Sequence, residues 1–388
     1  MIKIVHCFID EKFVKCAINE FEYFNNRCEN KYVYITHPRK RELKYISDLE
    51  YIIHLSRFDF LSFLEKEKCD VVILHNLLSL PFHIISNIPL HIKVIWFAWG
   101  FDIYTPLSNK PFIAVPNLYH KKTERLLGLQ IKEQVAKSLK TLCKRLLFRD
   151  VLWDKKVKRA VSRVDYFSGV FPEEYDMMTQ LPFFRAKQLV FNYHDPNNEI
   201  SLALLDSEET IKGMNIMVGN SADPSNNHAD IFMKLNNLHL GNRKIFVPFS
   251  YGGSLSYKNK IKAFGKEFFG DNIIFLEDFM EYNEYRKILS SCGFRIFGHE
   301  RQQAIGNIEM SFRAGCKVFL SKTSIIYKHY VPSGLKICTI QEDFNDDVFS
   351  KLLDEEETFR NRKISTEMSL TSKAMENVYK LISIVEKD

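Results

Sequence analysis

The 388-residue chain has no CxxC pair, and its eight cysteines (Cys7, Cys16, Cys28, Cys69, Cys143, Cys292, Cys316 and Cys338) are scattered. That spacing excludes a zinc ribbon and a disulfide framework, and it favours a reducing compartment. Most of them stand in apolar runs, where a free cysteine behaves as a small core residue. Long apolar runs are also missing. The longest, Val71 to Leu90, is broken by His75, Asn76, Pro81, His83, Asn87 and Pro89, so no segment is expected to span a bilayer. The opening MIKIVHCFIDEK reads as a first strand and not as a signal peptide, because Asp10 and Glu11 cut its apolar run short. Short repeats and low-complexity tracts are absent too. The formal charge is only +6, too modest to imply nucleic acid by itself.

What is present describes a globular protein, 46% hydrophobic and 26% charged, and its length suits two domains. Short apolar runs alternate with helical patterns. Strands are predicted at Ile2–Cys7, Tyr32–Thr36, Tyr51–His54, Val71–Leu74, Val94–Ala98, Tyr166–Val170 and Leu189–Asn192. A second series follows at Asn215–Val218, Lys244–Pro248, Ile273–Leu276, Phe294–Phe297, Val318–Leu320 and Lys336–Ile340. Uninterrupted runs of this kind suit strands buried on both faces of a parallel sheet. The expected fold is therefore α/β, two doubly wound Rossmann-like domains facing a cleft. Boundaries are expected at 1–193, a polar linker at 194–209, a second domain at 210–360 and a C-terminal helix at 361–388.

Ligands of open α/β sheets bind beyond the carboxyl ends of strands, so strand-end loops carry the chemistry. After Val218 comes Gly219-Asn-Ser-Ala-Asp-Pro-Ser-Asn-Asn-His228, leading into an amphipathic helix. Gly219 permits a tight turn, Ser225, Asn226 or Asn227 can cap the helix, and the free N–H groups of a helix start attract an anion. The plain alternative is a βα loop rich in cap residues. A second loop, Gly298-His-Glu-Arg-Gln-Gln-Ala-Ile-Gly-Asn307, follows the strand Phe294–Phe297. Arg301 offers a planar fork for a pyrophosphate, Gln302 and Gln303 offer amides for sugar hydroxyls, and Gly306 lets the helix start approach a ligand. Its alternative is a solvated loop. A third, Trp96-Phe-Ala-Trp-Gly-Phe-Asp-Ile-Tyr104, brings Asp102 to a strand end as a candidate general base or as a helix cap. His75, after Val71–Leu74, is the other candidate base, or a satisfied core histidine. Tyr251 is positioned to stack on a base, though loop packing explains it equally.

Charge is concentrated in one place. Between Lys121 and Arg163 stand fourteen Lys or Arg against four Asp or Glu, about +10, so the rest of the chain is net negative. Apolar residues from Leu127 to Leu146 recur there at helical spacing, predicting a basic amphipathic helix over 121–163 in the first domain. Lys132, Lys137, Lys140, Lys144 and Arg145 would face an anionic membrane surface; a packed helix with a solvated basic face is the alternative. Aromatics are not interleaved with the basic residues, which argues against nucleic acid.

The pieces GNSADPSNNH (219–228), VPFSYG (247–252), RQQAIG (301–306) and WGFDIY (99–104) resemble, in order and spacing, glycosyltransferase family 56. Its members are TDP-4-acetamido-4,6-dideoxygalactose:lipid II transferases. The resemblance is strongest over 215–320 and weaker over 70–105. It implies a GT-B fold, a dTDP-sugar donor, an undecaprenyl-diphosphate-linked acceptor and work at the cytoplasmic face of the inner membrane. It also implies no metal and no cofactor, in keeping with the lack of a DxD motif near the motif-bearing strands; Asp346-Asp347 falls in a late acidic run. Ala222, Pro224, Glu309 and Arg313 depart from the family's pattern.

On these grounds the second domain is expected to hold the nucleotide-sugar through Gly219, Asn220, Ser221, Ser225, Asn226, Asn227, His228, Tyr251, Arg301, Gln302, Gln303, Gly306 and Asn307. Arg301 would also offset charge on the leaving nucleoside diphosphate, with Asp102 or His75 as base. A nucleotide-sugar epimerase of the same fold and a non-enzymatic membrane-associated binding protein are the rival expectations.

Overall fold

The structure is a computed structural model that describes residues 1–11, 13–36, 42–104, 112, 118–128, 149–193, 211, 213–278, 280–368 and 371–387. The expected linker 194–209 and the five basic residues Lys132, Lys137, Lys140, Lys144 and Arg145 lie outside the described residues.

The chain divides into two compact units, Met1–Ala114 with Cys143–Pro196 and Ser369–Asp388, and Val115–Leu142 with Asn197–Met368. The first unit is built on β1 (Ile2–Phe8), β2 (Cys28–Ile35), β3 (Ile52–Leu55), β4 (Val71–Leu74), β5 (Lys93–Phe97), β6 (Tyr166–Ser168) and β7 (Lys187–Gln188). They form one sheet in the order β3-β2-β1-β4-β5-β6-β7, with every pair parallel. The second unit holds β8 (Ile216–Val218), β9 (Ile245–Pro248), β10 (Ile273–Leu276), β11 (Phe294–Phe297), β12 (Lys317–Leu320) and β13 (Cys338–Thr339). Their order is β10-β9-β8-β11-β12-β13, again all parallel. Each sheet thus winds outwards in both directions from its first strand, the doubly wound arrangement expected from the alternation of strands and helices.

The reason lies in the strand sequences. Val71-Val-Ile-Leu74 and Phe294-Arg-Ile-Phe297 are buried at every position, as strands covered by helices on both faces must be. In the second unit, the helix His228–Leu235 contributes Ile231, Phe232 and Leu235 to a core with Ile216, Val218, Ile245, Val247, Phe294 and Phe319. In the first, the last helix, Thr371–Val385, places Val378, Leu381 and Ile382 against Ile4, Phe21, Val71 and Ile73. The single helix expected over 361–388 is instead two, Glu355–Met368 in the second unit and Thr371–Val385 in the first.

Two strands differ most from expectation. β2 starts at Cys28, because Glu29, Asn30 and Lys31 pair with β1 by backbone bonds that need no apolar side chain. β7 is short and exposed at the sheet edge, although Leu189 and Phe191 just beyond it are buried as the apolar run required. Among the described residues no helix is long and apolar enough to cross a membrane.

Candidate functional site

In the second unit the order of strands reverses between β8 and β11, and the loops leaving those two strands are the two singled out in the sequence. Ligands of open α/β sheets bind at such a reversal. The first loop opens on Gly219, whose N–H donates to the Ile296 carbonyl at 2.8 Å. Its φ is +72°, and a Cβ there would fall 2.4 Å from Asn226 Oδ1, so conformation and space both require glycine.

Asn226 ties the loop together. Its Oδ1 accepts from the Asn220 N–H at 3.0 Å and from His299 Nε2 at 2.8 Å. Its Nδ2 donates to the carbonyls of Ser221 at 3.1 Å and Asp223 at 3.0 Å. The side chain is fully buried and fully used, which is how a polar group survives in a core. Asn227 extends the tie. It holds a left-handed backbone (φ +55°) at the start of the helix His228–Leu235, and its Nδ2 donates to the Gly298 carbonyl at 2.7 Å. The β8 and β11 loops are therefore bolted to each other by two asparagine side chains.

Further links lie nearer the surface. Ser225 Oγ stands 2.6 Å from Gln303 Oε1 and 2.5 Å from Asp223 Oδ1. Gln303 Nε2 donates to Asn220 Oδ1 at 3.2 Å, and Asn220 Nδ2 donates to Tyr251 Oη at 3.1 Å. Tyr251 itself is 60% exposed, beside Gly252 and Gly253, both of positive φ. Arg301 and Gln302 are half-buried, with an Arg301 Nη1 bond to the Gln302 carbonyl at 3.1 Å. The chain then turns through Ala304, another left-handed residue (φ +60°), into the helix Ile305–Arg313. That helix has no side-chain cap, and a Cβ built on Gly306 meets nothing within 4 Å. Gly306, in its first turn, is exposed, and the uncapped N–H groups of that turn carry the partial positive charge of a helix start.

Of the thirteen residues expected to bind a donor, the structure joins Gly219, Asn220, Ser221, Ser225, Asn226, Asn227, Tyr251 and Gln303 in one bonded frame. Arg301, Gln302, Gly306 and Asn307 continue from it along the chain. His228 is different: it is buried in the core, edge-on to Phe249 at 5.4 Å, with Nδ1 3.2 Å from Tyr257 Oη. Burial lowers its pKa to about 3, so it is neutral.

Sequence reasoning missed several members. His299 is buried, and burial, with the Arg301 charge beside it, drives its pKa well down; it donates from Nε2 and leaves a buried Nδ1 without a partner. Glu300 is buried yet accepts from Ser321 Oγ at 2.5 Å, Thr323 Oγ1 at 2.8 Å and His120 Nε2 at 2.7 Å. Ser321 follows β12 and in turn accepts from Gln341 Nε2 at 2.9 Å, beyond β13, so four strand ends are wired in series. His299 and Glu300 stood inside the motif; His120 lies 180 residues away in sequence and carried no signal.

In the first unit His75 directly follows β4 and Asp102 lies in the short helix Gly100–Tyr104 after β5, each almost wholly buried. Asp102 Oδ2 accepts from Trp96 Nε1 at 2.7 Å and from the Leu77 N–H at 3.1 Å, while Oδ1 accepts from the Trp99 N–H at 2.7 Å. Burial raises its pKa to about 7 against those donors. His75 stacks on Phe8 at 4.0 Å between two bonds, Nε2 to His6 Nδ1 at 3.0 Å and Nδ1 to Tyr193 Oη at 2.7 Å. Tyr193 Oη also accepts from Trp99 Nε1 at 3.1 Å. Burial, with His6 beside it, holds the His75 pKa well below its usual value.

Two doubly wound parallel sheets, the second with bonded polar loops at its strand reversal, are the architecture of the GT-B glycosyltransferases. The chain belongs to the family of 4-alpha-L-fucosyltransferases, glycosyl transferase group 56, whose family model matches residues 169–364. Solved structures with the same fold include the Candida albicans trehalose-6-phosphate phosphatase N-terminal domain, with a TM-score of 0.61, 10% identity and coverage of 100% of this chain and 96% of that one. HepE of Anabaena, solved with UDP-glucose, gives a TM-score of 0.60 at 8% identity over 99% of this chain and 100% of that one. AviGT4, a glycosyltransferase of avilamycin A biosynthesis, gives 0.54 at 10% identity over 100% and 99%.

Proposed function

We propose that this glycosyltransferase takes a deoxysugar, of the acetamido-dideoxy kind, from a dTDP-sugar and transfers it to an undecaprenyl-diphosphate-linked glycan. The observation that carries the donor half is the bonded frame of the β8 and β11 loops, from which Arg301 and the uncapped start of Ile305–Arg313 emerge together. Breaking the sugar–phosphate bond leaves negative charge on the nucleoside diphosphate. A fixed guanidinium and a helix start stabilise that charge without reorganising during the reaction. Gln302 and Gln303 orient the sugar, and Tyr251, the most exposed member, meets the base.

The first unit receives the acceptor. There we assign Asp102 and His75 to positioning, because all their polar atoms are engaged within the core: Asp102 fixes the backbone of Trp99, and His75 fixes its indole through Tyr193. The basic stretch that includes Lys132, Lys137, Lys140, Lys144 and Arg145 draws the enzyme to an anionic membrane surface at the cytoplasmic face, where its lipid-linked acceptor resides.

The test is a thermal-shift panel of dTDP, UDP, GDP and their sugars, since a ligand of the native state raises its apparent stability. dTDP should give the largest shift, and Arg301→Ala should lower turnover at saturating donor by about 10²-fold. A panel in which no nucleoside diphosphate shifts the transition, or wild-type turnover in the variant, defeats the proposal.

A further inference from the structure

Residues 118–128 precede the family match, yet they are fastened to the frame just described. Asn227 clasps them with both ends of its amide: Oδ1 accepts from the His120 N–H at 2.8 Å and Nδ2 donates to the Leu118 carbonyl at 3.2 Å. Asp230, one turn into the next helix, caps residues 121–128 by accepting from the N–H groups of Lys122 and Thr123 at 2.9 and 2.8 Å, and from Thr123 Oγ1 at 2.8 Å. His120 Nε2 bonds Glu300, the residue before Arg301, at 2.7 Å. The bonds on either side of Tyr119 therefore end on the same asparagine that grips Gly298.

Tyr119 is an exposed member of this strap, as are Lys121, Glu124 and Arg125. Thr123 is fully buried, whereas Tyr119 is 37% exposed. Its phenol lies within electrostatic reach of Asp223 in the first loop and Arg301 in the second. We propose that Tyr119 is a further donor-binding residue, whose hydroxyl donates to a diphosphate oxygen of the nucleotide-sugar beside Arg301. This rests on the donor site proposed above. Burial, reinforced by Asp223 and opposed by Arg301, raises the phenol's pKa, so it is a protonated donor at neutral pH. An O–H donor adds what the guanidinium lacks, a neutral hydrogen bond that attracts the diphosphate without adding a second fixed charge next to Asp223.

The experiment is isothermal titration of the full chain with dTDP and with UDP, for wild type, Tyr119→Phe and Tyr119→Ala, alongside each protein's thermal midpoint without ligand. Tyr119→Phe removes one oxygen from a half-exposed ring and should leave the midpoint unchanged. It should weaken whichever nucleotide binds wild type best by about tenfold, the value of one hydrogen bond to a charged group. Tyr119→Ala should weaken it at least as much. Wild-type binding retained within about twofold in both variants overturns the assignment while leaving the donor site intact. Failure of wild type itself to bind either nucleotide overturns the donor site and this assignment together.

Discussion

Asn227→Ala is the substitution that probes the frame most directly. In the native protein the amide makes three principal bonds, to the Gly298 and Leu118 carbonyls and from the His120 N–H, beside a longer one to the Ser225 carbonyl at 3.3 Å. Alanine leaves all three without that partner in a region from which water is largely excluded. At roughly 1 kcal/mol for each such loss, the cost is about 3 kcal/mol. The backbone adds to it. At φ +55° asparagine is better tolerated than alanine, which contributes on the order of a further 1 kcal/mol. The expected total is about 4 kcal/mol, large against the stability of a single domain. Urea unfolding measures the total, and Asn227→Gly, which relieves the backbone but not the lost bonds, separates the two parts. Amide exchange over residues 118–123 reports release of the strap independently, because local opening need not await global unfolding. If the variant unfolds within about 0.5 kcal/mol of wild type and exchange over the strap is unchanged, the clasp holds nothing and the reasoning fails.

Two other outcomes follow from the same geometry. Gly219→Ala should cost about 2 kcal/mol or more and abolish nucleotide binding, because a Cβ would displace Asn226 Oδ1, 2.4 Å away; unchanged dTDP titration and urea midpoint would contradict this. Acid should destabilise the chain between pH 6 and 5. His6 and His228, lowered to about 3, and His75 and His299, lowered well below 6.5, stay neutral when folded but bind protons once unfolded, so their contribution is complete above about pH 6.5 and is lost as pH falls towards the folded values. Asp102 and Glu174, raised to about 7, and Glu309, also raised, act the opposite way, so one to two protons remain in favour of the unfolded state. Stability should fall by about 2 kcal/mol over that unit of pH, and a flat or rising profile would show the histidines to be accessible.

Much of this was legible because its causes are local. Most strands were marked by an apolar run such as Val71–Leu74, β7 being the exception, and the two loops at the sheet reversal by their glycine and cap residues. The roles within the loops were less legible. Asn226 and His228 look from sequence like residues that face a ligand, but the fold turns both inward, one as the knot of a turn and the other as a neutral ring against Phe249. Nothing in a string of residues distinguishes an amide that recognises a phosphate from one that holds the backbone recognising it. The strap was invisible for a simpler reason: Asn227 and His120 are 107 residues apart, and their bond exists only once the sheet has formed.

That inward turn has a consequence for where specificity resides. Asn226, Asn227, Ser225, His299 and Glu300 are buried and bonded within the second unit, so substituting them alters the shape of the site before it alters any contact with a ligand. Around the frame Tyr251, Gly306 and Tyr119 are exposed, and Arg301, Gln302 and Gln303 are half-buried. A buried interior with a more exposed rim allows the rim to change while the bonded frame keeps its geometry, because buried polar networks tolerate little and exposed residues tolerate much. Solved structures that share about a tenth of this chain's residues share its fold. The choice of sugar and base should then follow the rim. Exchanging Gln302 or Tyr251 should alter which donor is accepted, whereas exchanging Asn226 should weaken all donors alike.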